Sequence, residues 1–176
     1  MDMTDFIIRK AVAKDAEAIA RVHICSWQKT YEQFIPESIL STLSIEERTN
    51  QWLALIQDGV TVLVLEIQQQ IIGFVSLCEF RDGEKGKLTG EISAIYLAPE
   101  YWHQGFGTEL CVAALSELSQ TGYEKVGLWV LEDNVQARNF YEKLGFIASS
   151  ETKLEEFYEG GALLTEVLYQ KTLKST

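Results

Sequence analysis

Residues 61–67 (TVLVLEI) and 71–77 (IIGFVSL) are two apolar, largely β-branched runs separated only by the glutamines Gln68–Gln70. Two β-rich runs joined by a short polar loop predict an antiparallel hairpin, and it sits in the middle of a chain that is helix-periodic on either side. Upstream, Phe6 to Arg9 reads as an opening strand. Ile19, Val22, His23, Ser26 and Trp27 then fall at three- and four-residue spacing, so an amphipathic helix follows, with Asp15 placed to cap its first turn. After the Pro36 break, Ser44 and Glu47 form a capping box for a second helix through Trp52 and Ile56. Downstream come a strand over Leu88–Leu97, a helix over Thr108–Thr121, a strand over Lys125–Leu131 and a helix over Val135–Leu144. A last strand pair follows Phe146, turning at Glu159-Gly160-Gly161 and returning over Leu163–Tyr169. That order predicts an α/β or α+β fold, a mixed sheet flanked by helices, in a single domain spanning 1–176.

Composition narrows the function classes. With 176 residues, 47% hydrophobic and 11% aromatic, the chain can bury an ordinary globular core. A net charge of −11 argues against a nucleic-acid-binding surface and favours a solubilising field, one able to attract cationic partners. Cys25, Cys78 and Cys111 are odd in number and far apart, so no disulfide framework is expected. His23 and His103 assemble no zinc-ligand spacing. The acidic N-terminus MDMTDFIIRKA lacks the basic region of a secretion signal, and no run approaches the ~20 apolar residues that span a bilayer. A soluble protein of the cytoplasm is expected.

The chemistry concentrates in Glu91–Leu110, EISAIYLAPEYWHQGFGTEL, where an apolar strand runs into a loop and Gly105-Phe106-Gly107 opens a helix. Glycines there let a ligand approach the backbone, and the unpaired N–H groups of a helix's first turn favour an anion such as a pyrophosphate. A tight turn alone would also explain them. A dinucleotide fingerprint needs a third glycine where Leu110 stands, and the Gly86-Lys87 pair is spaced wrongly for a P-loop. A second segment, NVQARNFYEKLGF from Asn134 to Phe146, gives an apolar stripe of Ala137, Phe140, Tyr141 and Leu144 closed by Gly145.

Together, PEYxxxGxG ahead of a helix and a strand, then NxxAxxFYEKxGF about thirty residues on, resemble the GNAT superfamily of N-acetyltransferases, as does the opening IIRKAVAKDAEAIARVH. The resemblance covers nearly the whole chain. It implies a sheet of about seven strands, splayed between the fourth and fifth and flanked by about four helices, with acetyl-CoA in the splay and the acceptor amine approaching from the opposite side. The backbone of Ile95, Tyr96 and Leu97 would pair with the pantetheine arm. The loop His103, Gln104, Gly105, Phe106, Gly107 and Thr108 would hold the pyrophosphate. Asn134, Ala137 and Arg138 would contact the cofactor, and Tyr141 would lie near its sulfur. Trp102 departs from the family, which commonly has glutamine or arginine there. It carries no charge for the pyrophosphate, and Gln104 or Arg138 would have to compensate.

The implied reaction is direct acetyl transfer from acetyl-CoA to a primary amine of a small molecule or a peptide, without a metal. Alkyl ammonium groups ionise near ~10, so a base or water relay is useful at neutral pH. Glu91, at the start of the cofactor-bearing strand, is the first candidate and Glu79 its rival; the alternative for Glu91 is a solvent-facing strand-edge carboxylate. Tyr141 is the candidate acid for the departing thiolate, and backbone N–H groups near Tyr96 and Leu97 would stabilise developing charge. The cysteines read as small buried hydrophobes rather than nucleophiles, and His23 as a core-edge residue. Trp27, Tyr31 and Phe34 would line the acceptor site as an aromatic wall. Glu151, Glu155, Glu156 and Glu159 would suit a cationic amine, and the strands after Phe146 would suit a homodimer. Two other readings remain at this point: a non-catalytic acyl-CoA-binding module, for which Trp102 argues, and a nucleotide-binding protein using the glycine loop for another phosphate ligand.

Overall fold

The computed structural model describes residues 5–82, 88–156 and 163–173. The turn expected at Glu159-Gly160-Gly161 and most of the Arg81–Lys87 loop lie outside the described residues. Seven strands occur in the order β1-β2-β3-β4-β5-β7-β6. They are β1 (Phe6–Lys10), β2 (Thr61–Ile67), β3 (Gln70–Glu79), β4 (Thr89–Leu97), β5 (Lys125–Leu131), β6 (Ile147–Glu156) and β7 (Leu163–Thr172). The helices are α1 (Ala16–Tyr31), α2 (Glu37–Leu40), α3 (Ile45–Gln57), α4 (Phe106–Gln120) and α5 (Val135–Lys143). Among the described residues there are thus five α-helices where about four were expected. The extra one, α2, is a single turn after Pro36, too short to show a period. No helix among these residues is long and apolar enough to cross a membrane.

The chain forms two compact units, Met1–Leu77 with Ala94–Ala114, and Cys78–Ser93 with Leu115–Thr176. In the first, β1 and β2 are antiparallel from Phe6↔Ile67 to Lys10↔Leu63, and β2 pairs with β3 as the expected hairpin. Its turn is tighter than the three glutamines suggest: Gln70 already belongs to β3, while Gln68 (φ 48°) and Gln69 (φ 66°) take left-handed conformations. Two successive left-handed residues give the twist that a two-residue hairpin needs. The core of this unit joins Ala16, Ile19, Ala20 and Val22 of α1 to Trp52 of α3, Val62 and Val64 of β2, and Phe74 of β3.

Asp15 does not cap α1 as expected. Its carboxylate accepts from the Val12 N–H at 2.8 Å and from both terminal nitrogens of Arg9, at 2.7 and 3.1 Å. The reason is non-local: Arg9 lies on β1 and is also held by Glu66 of β2, so the ion pair outcompetes the helix N–H groups. The Arg9 hydrogen bonds hold the Asp15 carboxyl below the ordinary carboxylate value, against the opposing effect of its burial. The charged form is therefore the stabilising one, and its contribution is complete above the ordinary value and fades as pH falls through the lowered one. Asp15→Asn, which keeps a side-chain oxygen for Val12 but loses the charge, should destabilise by about 1–3 kcal/mol at neutral pH. In thermal melts the gap between variant and wild type should close below the ordinary carboxylate range.

In the second unit β5 pairs antiparallel with β7 from Lys125↔Thr172 to Leu131↔Glu166, and β7 with β6. Val126, Leu128, Val130, Val167, Leu168 and Tyr169 are buried there. β4 is parallel to β5 over three pairs only, Thr89↔Lys125, Gly90↔Val126 and Glu91↔Gly127. Past Glu91 that register stops while β4 continues to Leu97. Helix α5 closes as its sequence predicts: Gly145 (φ +85°) donates to Glu142 O at 3.0 Å and Phe146 to Tyr141 O at 3.1 Å, the paired bonds of a glycine-terminated helix end.

Candidate active site

Past its register with β5, β4 runs through half-buried Ile95, Tyr96 and Leu97 into a single 3₁₀ turn over Pro99–Tyr101. The next stretch reverses direction through two left-handed residues, His103 (φ 60°) and Gly105 (φ 88°). A non-glycine residue there is held at a cost of about 1–2 kcal/mol, so the fold fixes the loop at His103 by other contacts. Gly105 O accepts from Thr108 and Glu109, which starts α4. His103, Gln104, Gly105 and Thr108 are exposed around this helix N-terminus.

Phe106 is different. Its ring is buried edge-on against Phe6, at 5.9 Å, and Tyr101, at 6.2 Å. It anchors the start of α4, leaving its backbone rather than its ring for a ligand. Trp102 turns inward as well: its indole N–H donates to Leu97 O at 2.8 Å, tying the loop to the last residue of β4. Gln104 donates to Glu100 O at 2.9 Å, so its amide braces the same loop.

Asn134 caps α5, its side-chain oxygen accepting from the Ala137 N–H at 3.1 Å. Arg138 is engaged too: Nε donates to the Tyr169 hydroxyl and Nη1 to Glu132 O, both at 2.9 Å, and Tyr169 in turn donates to Glu142. Tyr141, 9% exposed, packs edge-on against Phe140 and Phe146, at 5.2 and 5.7 Å, and tilts toward Tyr169.

Glu91 is not the solvent-facing carboxylate considered above: it is 1% exposed. Both of its oxygens are held by Arg81, with Nη2 at 2.6 Å on one, and Nε at 3.3 Å and the backbone N–H at 3.0 Å on the other. Arg81 itself is mostly exposed. Sequence reading missed this partner, because Arg81 stands just after β3 and Glu91 ten residues on, within β4. Glu79 stays exposed at the end of β3. Beside Glu91, burial and the carboxylate charge push the Cys78 thiol up, the opposite of a reactive thiolate. Cys111 is buried as expected, but Cys25 is exposed, since it falls on the solvent side of α1 between buried Ile24 and Ser26. On that helix Trp27 and Tyr31 do meet, with ring centres 4.9 Å apart, while Phe34 lies half-buried in the turn that follows. No group of three or more metal-ligating side chains occurs among the described residues.

Residues 22–146 match the Acetyltransferase (GNAT) family. The chain belongs to that family. The uncharacterized N-acetyltransferase YuaI of Bacillus subtilis is 35% identical over 127 residues, 72% of each chain. A spermidine N(1)-acetyltransferase of Thermoplasma acidophilum is 29% identical over 146 residues, covering 79% of this chain and 86% of its own. In three dimensions, the crystal structure of the PaiA N-acetyltransferase from the same archaeon in complex with coenzyme A superposes with a TM-score of 0.71 at 23% identity, over 96% of this chain and 99% of that one. This GNAT member is an N-acetyltransferase.

Proposed function

We propose that the chain transfers an acetyl group from acetyl-CoA to a primary amine, by direct attack and without a covalent enzyme intermediate. The observation that carries the reading is the end of the β4–β5 register at Glu91. Ile95, Tyr96 and Leu97 of β4 lie beyond that register and immediately before the exposed loop at the N-terminus of α4. Acetyl-CoA supplies an activated thioester; this chain's residues bind it, orient it and move protons. The N–H groups of Gly105, Phe106 and Gly107, aided by the helix dipole, suit the pyrophosphate, with Thr108 beside them. His103 and Gln104 flank it, and Asn134, Ala137 and Arg138 are the further cofactor-binding residues of this reading. Trp102 supports the loop rather than the anion, so the backbone carries the charge recognition. Of the backbone N–H groups near Tyr96 and Leu97, that of Leu97 lies on the edge away from β3, since the next one, of Ala98, donates to Ile72 O, and it is the donor in this reading for the oxygen on which negative charge develops. Tyr141 holds the proton that the departing thiolate takes.

Glu91 is the base in this reading and works through a water, since Arg81 occupies both of its oxygens. The amine is that of a small molecule or a peptide; the relative named for spermidine supports an amine, and Trp27, Tyr31 and Phe34 are its aromatic surroundings.

Two measurements test this. Calorimetric titration should show micromolar binding of acetyl-CoA, about −8 kcal/mol, and none of ATP or NADH; absence of acetyl-CoA binding would end the proposal. Glu91→Gln keeps the side chain's shape and its bond from the Arg81 N–H. Its turnover should fall at least about tenfold at neutral pH. It should then recover as pH approaches the ionisation of the amine near ~10, where no base is needed. A wild-type pH profile for this variant would remove Glu91 from the chemistry.

A further inference from the structure

His23 stands on α1 one turn before Trp27 and two before Tyr31, at the inner end of the aromatic wall. Its ring stacks on Tyr96 of β4, with centres 4.8 Å apart and planes 27° apart, and meets Trp52 and Phe74 edge-on. The Trp52 indole N–H donates to His23 Nδ1 at 3.0 Å. An indole nitrogen only donates, so Nδ1 must be unprotonated, and the neutral ring carries its proton on Nε2. Burial, together with the charge of Arg48, pushes the imidazolium down to about 3, so the ring is neutral at any physiological pH. Among the described residues Nε2–H has no hydrogen-bond partner, and His23 is half-buried. The fold thus keeps one uncharged donor, in one tautomer, beside the strand that the proposed function assigns to the thioester.

We propose that His23 determines acceptor specificity by donating its Nε2–H to an oxygen of the amine that is acetylated. The inference rests on the acetyltransferase reading above. Its consequence is recognition at two points. The Trp27 and Tyr31 rings attract the ammonium group, and His23, uncharged and so not repelling that ammonium, takes a carbonyl or hydroxyl oxygen a few bonds away. An α-amino amide or peptide N-terminus carries both features, whereas a polyamine carries only the first.

The test uses the full chain with acetyl-CoA and two acceptors, an alanyl peptide amide and spermidine. Wild type should have the higher kcat/KM for the peptide. His23→Phe, which keeps the stacking but loses the donor, should lose about tenfold on the peptide and nothing on spermidine, with unchanged acetyl-CoA affinity by calorimetry. His23→Gln, which restores an N–H, should recover part of the loss. Equal losses on both acceptors, no loss on either, or a wild-type preference for spermidine would overturn the assignment. Failure of wild type to bind acetyl-CoA would instead indict the underlying reading. Should His23→Phe not fold, Trp52→Phe frees Nδ1 while retaining His23. Nitrogen NMR of the ring should then show the proton on Nε2 alone in wild type and divided between the Nε2–H and Nδ1–H tautomers of a still neutral ring in the variant, with a fall in peptide turnover that matches the lost Nε2–H fraction. A wild-type proton on Nδ1 would refute the proposal.

Discussion

Gly107→Glu should abolish measurable acetyl-CoA binding while leaving a folded chain. The position is the second residue of α4, half-buried just after the exposed loop that follows β4. A carboxylate in the first turn of a helix interacts favourably with the helix dipole, so the substitution does not oppose folding. Its charge lies where the reading puts the pyrophosphate. One added unit charge within about 4 Å of an anion costs up to about 4 kcal/mol in a partly screened setting, and the new side chain also fills the space that glycine leaves. A loss of affinity of at least about 100-fold is expected, with a thermal midpoint close to wild type in the absence of ligand. Gly107→Ala, which adds bulk but no charge, should lose much less. Because Trp102 donates its indole N–H to Leu97 O, no arginine stands three residues before Gly105 to offset the added charge. The glutamate should therefore weaken binding more here than in a relative with arginine at that place. Affinity within about threefold of wild type would take the α4 N-terminus out of the cofactor site.

What the sequence made legible was whatever depends on neighbours within a turn or two. The hairpin at Gln68, the switch from β4 to α4, the Ser44 cap (its hydroxyl accepts from the Glu47 N–H at 3.2 Å) and the Gly145 stop all follow from local period and local chemistry. What stayed hidden depends on partners brought close by the fold. Asp15 looked like a cap because Arg9 and Glu66 are separated from each other by more than fifty residues. Glu91 looked as though it could face solvent because its guanidinium partner stands ten residues earlier, beyond the end of another strand. Gln104 and Arg138, suggested as substitutes for a missing cation, are instead bonded within the protein. His23 read as a core-edge residue; only the approach of Trp52 from another helix fixes its tautomer and gives it a direction.

The second large effect falls on Tyr141. Tyr141→Phe removes one oxygen and keeps the ring that packs against Phe140, Phe146 and Tyr169, so the fold should be retained. If the hydroxyl supplies the proton for the leaving thiolate, its loss raises the barrier for that step alone. Turnover should drop by roughly 100-fold, with acetyl-CoA affinity unchanged, because affinity resides in the loop and in the β4 backbone rather than in the phenol. Tyr141→Ala gives the contrast. Deleting a ring that is 9% exposed should cost about 3–5 kcal/mol of stability, and a fall in activity there would say nothing about proton transfer. The phenylalanine variant separates the two roles because it keeps the packing intact. Should its turnover match wild type across pH, Tyr141 would be a packing residue of α5 and the thiolate would take its proton from water. Should affinity fall with turnover, the hydroxyl would be holding the cofactor rather than protonating it.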